Sequence, residues 1–220
     1  MRISELSSRS GVSTASIKYY TREGLLPAGE RTGYNQTEYT DAHLQRLRLI
    51  RSLIDVGGLP VAAVARVLTA VDTPELPLGE VLGVAQHALP QAIAPPSAQA
   101  VQRAEAFVAE HGWHVHDGNP GLRAVAGVLD GWAGVGREDL VSVLPAYARA
   151  ADIVAAADVD AVSAGIRAAA EGGDRDSAAQ TVVVGTVLGD QLLAGLRRIA
   201  QEHAATQRYG LNPPTDRSTP

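Results

Sequence analysis

The chain has 220 residues, 45% of them hydrophobic, a formal net charge of −5 and no cysteine. That length and apolar content suffice for one sizeable or two modest cores, and the absence of thiols excludes disulfides and thiolate metal sites. No uninterrupted run of eighteen apolar residues occurs and no charged-then-apolar leader precedes the first helical pattern, so a soluble, cytoplasmic protein with no membrane partner is expected.

Charge is unevenly spread. Through Arg51 there are eight Arg or Lys against five acids, and the rest of the chain carries 11 basic and 19 acidic residues. A mildly basic head on an acidic body suits a head that meets a polyanion with only moderate non-specific affinity. Lys18 is the sole lysine, which with the abundance of Ala and Gly suggests a GC-rich bacterial coding genome.

In chain order, Ile3 and Leu6 give a short first helix its apolar face, and Gly11 supplies a left-handed turn. Ser13 then reads as the N-cap of a second helix that Gly24 ends. At about 100° per residue, Ile17 and Tyr20 share one flank, while Thr14, Lys18 and Arg22 form a ridge facing away, with Ala15 and Tyr19 beside it. Such a helix has the width and the donors to lie in a DNA major groove. The plain alternative, an amphipathic surface helix, leaves the preceding helix and glycine turn unexplained. The polar stretch PAGERTGYNQTEYT follows, and its turn signals and β-favouring residues suggest a short hairpin with Arg31 near the tip. Thr40 and Asp41 open a third helix carrying Leu44, Leu47, Ile50, Leu53 and Ile54 on one side and Arg46, Arg48 and Arg51 on the other. Those arginines are either phosphate contacts or a solvated face. Gly57-Gly58 stop this helix, and Pro60 opens a fourth anchored by Val61, Val64, Val67 and Leu68.

The segment ISELSSRSGVSTASIKYYTREGLLP, with its Val-Ser pair, a cation before two tyrosines and Gly-Leu-Leu-Pro, resembles the DNA-binding domain of the MerR (mercury-resistance regulator) family over residues 1–71. The resemblance implies a winged helix-turn-helix whose DNA contacts come from Ser13, Thr14, Ser16, Lys18, Tyr19, Tyr20 and Arg22 and, in the wing, from Arg31, Tyr34, Asn35 and Tyr39. It further implies a homodimer on a palindromic operator in double-stranded DNA, activating RNA polymerase by distorting the promoter spacer. Two departures stand out. The family's Gly-Tyr-Arg wing motif lacks its arginine, whether Tyr34 or Tyr39 is taken as the motif tyrosine. In place of one long dimerising helix, Pro74, Pro77, Pro90, Pro95 and Pro96 interrupt the sequence, each costing about 3 kcal/mol inside a helix.

We therefore expect a mainly α protein: a winged helix-turn-helix over 1–71 with a short β-hairpin wing, a linker at 72–78, an all-α multi-helix domain at 79–206 that dimerises, and a disordered tail at 207–220. Helices are expected at 79–89, 97–110, 121–133, 137–157, 158–171 and 176–206, with Val182–Val184 as the one stretch that could be an isolated strand. In this half Trp113, Trp132 and Tyr147 are candidates to line a pocket for a flat effector, or to fill the core. His111, His114, His116 and Asp117 crowd one loop but lack the helical spacing of a metal site, so no metal is assigned. Gly185-Thr-Val-Leu-Gly189 lacks the lysine of a phosphate loop and reads as a helix-packing device. No catalytic grouping occurs, so neither enzymatic activity nor a cofactor is expected. The competing reading is a small-molecule sequestering sensor whose DNA contact is secondary.

Overall fold

A computed structural model of the chain describes residues 1–33, 36–90, 94–116, 118–170 and 175–210. Helix α1 (Ile3–Ser10) ends at Gly11, whose φ of 68° lets its N–H return to the Ser7 carbonyl at 2.9 Å. Helix α2 (Thr14–Arg22) starts where the Ser13 hydroxyl accepts from the Ser16 N–H at 3.0 Å. Leu6 and Ile17 are fully buried between the two helices, with Leu25 and Leu26 sealing the exit from α2.

Strands β1 (Glu30–Gly33) and β2 (Gln36–Glu38) pair antiparallel, setting Glu30 opposite Glu38 and Arg31 opposite Thr37. Gly29 is required just before them, since a Cβ there would stand 2.6 Å from the Glu38 carbonyl oxygen. Helix α3 (Asp41–Arg51) is capped in an unusual way: the Thr40 N–H donates to His43 Nδ1 at 3.1 Å, the imidazole taking the place of the usual Glu or Gln. It runs into a π-helical turn (Ser52–Val56) before Gly57 and Gly58, and α4 (Val61–Val71) follows Pro60.

The second half comprises α5 (Leu78–Ala88), α6 (Ala98–Glu110), α7 (Pro120–Gly134), a 3-10 turn (Glu138–Val143), α8 (Leu144–Ala170) and α9 (Arg175–Tyr209). The fold is thus mainly helical, with a hairpin after the first two helices. Two elements differ from the sequence reading. The helices expected at 137–157 and 158–171 are, from Leu144 on, one continuous α8, because nothing in the Ala-rich stretch around residues 157–159 breaks a helix, while Glu138–Val143 at the expected start form the 3-10 turn. Val182–Val184, weighed as a strand, lie inside α9, where Val182 and Val183 are buried; packing of that face overrides the β-branched preference. α9 also extends through Tyr209, past the expected start of the tail, while residues 211–220 lie outside the described residues.

The main core does not stop at the expected linker. One cluster of buried side chains runs from Leu6, Ile17, Leu47 and Leu53 through Val67 to Val81 and Ala85 of α5 and to Ala179, Val183 and Val187 of α9. At the seam Gly57 approaches α9 so closely that an added Cβ would meet Val187 Cγ1 at 2.4 Å. Arg175, at the start of α9, donates to the Leu76 carbonyl between α4 and α5. A smaller cluster, Ala100 and Ala104 of α6 with Ala126 and Leu129 of α7, forms a satellite hairpin.

Candidate nucleic-acid interface

The surface of α2 follows from its two sides. Ile17 anchors the helix with no exposure, which turns Thr14, Ala15, Lys18 and Arg22 outward. Among the described residues Lys18 has no hydrogen bond or ion pair, so its ammonium is available to a phosphate or a base edge. Arg22 is held over the Tyr19 ring at 5.2 Å from the centroid, an arrangement that keeps the guanidinium pointed outward. Its Nε also pairs with Glu23 at 3.2 Å, an exposed contact of little energetic weight that a phosphate can replace. Ser13 and Ser16 share a hydrogen bond at 2.8 Å beside the helix N-terminus, the end at which backbone N–H groups favour an anion.

The remaining candidates divide. Tyr20 is half-buried against the core, and burial, followed by the negative charge of Asp55, raises its phenol above the ordinary tyrosine value despite the opposing effect of Arg51. Tyr39 is a core residue, 9% exposed, with its ring edge-on to His43 at 5.3 Å. Tyr39 is thus packed beneath the surface and Tyr20 partly so, and the Tyr39 backbone N–H donates to the Met1 carbonyl at 2.8 Å. Arg31 is exposed on β1. Tyr34 and Asn35 lie outside the described residues.

Of the three α3 cations, Arg46 is turned inward: its Nε donates to the Leu25 carbonyl at 2.9 Å and its two terminal nitrogens grip the Asp72 carboxylate. Arg51 pairs with Asp55 one turn on at 2.7 Å, and Arg48 alone of the three is exposed with no partner among the described residues. A residue missed by the sequence reading is Arg2, whose guanidinium donates to Gln36 Oε1 of β2 at 2.7 Å and so places a cation beside the wing. Only its charge was visible in the sequence; the pairing spans 34 positions.

In the second half the three aromatic candidates do not converge. The Trp113 indole donates to Asp152 Oδ1 at 2.8 Å, and His111 Nε2 meets the other oxygen of the same carboxylate at 2.9 Å. These two contacts, His111 first, hold the Asp152 carboxyl below the usual carboxylate range. Trp132 packs partly buried on the satellite core, and the Tyr147 hydroxyl accepts from Arg197 at 3.2 Å. None of the three lines the half-open cleft of about 630 Å³ between α5, α7, α8 and α9. Among the described residues no three metal-ligating side chains come together, and Asp117 lies outside them. Gly185 and Gly189 are not packing contacts: a Cβ at either would meet no atom within 4 Å, because they line the cleft.

Comparison with known proteins agrees with the geometry of the head. The description "MerR HTH family regulatory protein" matches residues 1–71. The mercuric resistance operon regulatory protein of Bacillus cereus is 34% identical over 74 residues, 34% of this chain and 55% of that protein. The HTH-type transcriptional regulator ZntR homolog of Haemophilus influenzae is 40% identical over 50 residues, 23% of this chain and 37% of that protein. The chain thus spans about half or less of the curated relatives it matches. The crystal structure of SCO5550 from Streptomyces coelicolor A3(2), assigned as a transcriptional regulator, is 34% identical with a TM-score of 0.66, covering 97% of this chain and all of that one. Likeness over the whole length and the matched head place it among DNA-binding transcriptional regulators rather than enzymes. The chain belongs to the MerR family of helix-turn-helix regulators.

Proposed function

We propose that this chain acts as a cytoplasmic homodimer that reads a palindromic operator with two copies of α2 and activates transcription with RNA polymerase by bending and untwisting the promoter spacer. The observation that carries the reading is the outward ridge of Thr14, Lys18 and Arg22 on a capped helix whose other side is fully buried. One such helix spans only a few base pairs, and a two-fold pair multiplies the discrimination. Contacts from both heads then offset the cost of deforming the DNA between them, of order 1–6 kcal/mol for a smooth bend.

Support for a second copy comes from α8 and α9. Ile153, Leu192, Leu196 and Ile199 are 73%, 63%, 53% and 67% exposed, more aliphatic surface in one region than a monomeric soluble protein usually leaves bare. By length and composition α9 and the stretch Glu138–Ala164 are also capable of crossing a bilayer. Yet the first half of α9 is packed into the core of the DNA-binding head, through Ala179, Val183 and Val187, which ties it to a water-soluble unit. Covering the exposed half with an identical helix satisfies both facts.

Sedimentation velocity and operator binding on Leu192→Glu/Ile199→Glu test this. A dimeric wild type and a monomeric variant whose operator affinity falls by about 100-fold, or roughly 2.7 kcal/mol, are expected. A variant that stays monomeric and binds the operator as tightly as the wild type contradicts the reading.

A further inference from the structure

We infer that Arg2 is a DNA-phosphate contact of the wing, held ready by Gln36, and that it supplies positive charge which the hairpin itself lacks. This rests on α2 entering the groove as proposed above, since the wing follows α2 directly in the chain. The hairpin from Gly29 to Tyr39 carries Glu30, Arg31 and Glu38, so alone it is net negative. Glu30 stands directly opposite Glu38, like charges across the strands with both residues exposed. A hairpin of that charge is repelled by phosphates unless a cation reaches it from elsewhere in the fold.

The start of the chain brings one there. The Tyr39 N–H donates to the Met1 carbonyl at 2.8 Å and the Met1 nitrogen donates back to the Tyr39 carbonyl at 2.6 Å, the reciprocal exchange of an antiparallel pair. Arg2 therefore continues alongside β2 toward the turn, in extended backbone with φ −82° and ψ 161°. It stands at the N-cap of α1, yet its side chain makes no capping bond there. Instead it reaches Gln36, the first residue of β2, and donates to Oε1 at 2.7 Å. The cation thus sits at the turn end of the hairpin, with the two glutamates at its base.

The partner matters as much as the place. In the head Arg9, Arg22, Arg46 and Arg51 each pair with a carboxylate, whereas Arg2 is exposed and holds a neutral amide, so its charge is uncompensated among the described residues. That bond engages one N–H of the guanidinium fork, and the others remain for a two-point grip on a phosphate. Holding the side chain beforehand also removes part of the rotamer entropy that a long cation otherwise loses on binding.

The test is fluorescence anisotropy of the full-length protein over a series of salt concentrations, with a DNA fragment from upstream of the chain's own gene and a random-sequence duplex of equal length. A phosphate contact carries no sequence information. Arg2→Gln is therefore expected to weaken binding to both by about fivefold per bound chain at about 0.15 M salt, and to lower the salt slope by about 0.9. Arg2→Lys restores the slope. Gln36→Glu, which gives the guanidinium a carboxylate, weakens binding as Arg2→Gln does. A purely structural bond has the opposite outcome for Gln36→Glu, since a charge-assisted bond holds the wing more firmly. An unchanged salt slope in Arg2→Gln, a loss confined to the upstream fragment, or full affinity in Gln36→Glu overturns the inference. So does a lowered thermal midpoint of DNA-free Arg2→Gln with no change in slope, which gives Arg2 the task of offsetting Glu30 and Glu38. Lys18→Ala, measured alongside, keeps the two readings apart: loss of binding there with an unchanged slope in Arg2→Gln sinks this inference and leaves recognition by α2 standing.

Discussion

Lys18 and Arg46 are both cations on the helices of one small head, and they end in opposite situations. Lys18 projects from α2 with no partner among the described residues, whereas the Arg46 side chain is only 11% exposed and holds a carbonyl and a carboxylate. Lys18→Ala and Arg22→Ala are each predicted to weaken operator binding by about 1–3 kcal/mol and to flatten its salt dependence, by fluorescence anisotropy at several salt concentrations, without altering the urea midpoint. Arg46→Ala should do the reverse, lowering unfolding free energy by about 1–3 kcal/mol and leaving the salt slope unchanged, because it strips hydrogen bonds from Leu25 and Asp72. Periodicity could not separate these roles: it assigns a residue to a side of its own helix, and the Asp72 that claims Arg46 is 26 positions away. The outward ridge of α2, set by local spacing around Ile17, was legible in full, while the burial of Tyr39 depended on how the wing folds back onto Met1.

Local rules served the helices well wherever a cap or breaker marked an end. Ser13, Ser97 and Asn119 each accept from backbone N–H groups at a helix start, as their side-chain chemistry dictates. The rules failed where a boundary needed a breaker that the Ala-rich stretch of α8 lacks, and at Val182–Val184, where burial decided the backbone. Gly57 shows the same limit at a seam. It reads as a helix stop, and it is also the point at which α9 closes on the head. Gly57→Ala is predicted to force that contact apart at a cost of about 1–3 kcal/mol, seen as faster hydrogen exchange in both α9 and the π-helical turn. The loop at residues 111–116 is fastened differently, by Asp152. Its carboxyl is depressed in the folded state, so the stabilisation is present above the ordinary aspartate value of about 3.9 and is lost as pH falls through the lower folded value. Trp113 fluorescence in a Trp132→Phe background should report that loss only on acidification below about pH 4, and Asp152→Asn should abolish the pH response.

For the molecule as a whole, the sequence divided the chain by its prolines, and the hydrophobic core crosses that division. Pro74 and Pro77 do interrupt the helices, yet Val81, Ala85, Val183 and Val187 return to the head from beyond them, a long-range packing that no local pattern carries. Removing residues 73–220 is therefore predicted to lower the head's thermal midpoint as well as any dimer-dependent affinity, since it uncovers Leu53 and Val71. Point substitutions on the exposed half of α9 separate these effects, as truncation cannot. The central claim is that α2 enters the groove twice in one symmetric assembly. Hydroxyl-radical footprinting of the DNA upstream of the chain's own gene, with wild type and Lys18→Ala/Arg22→Ala side by side, tests it most directly. The account predicts two symmetry-related protected half-sites separated by whole helical turns of about 10 base pairs, both lost in the variant. A single unsymmetrical protected patch, or an unchanged footprint with both cations removed, contradicts it.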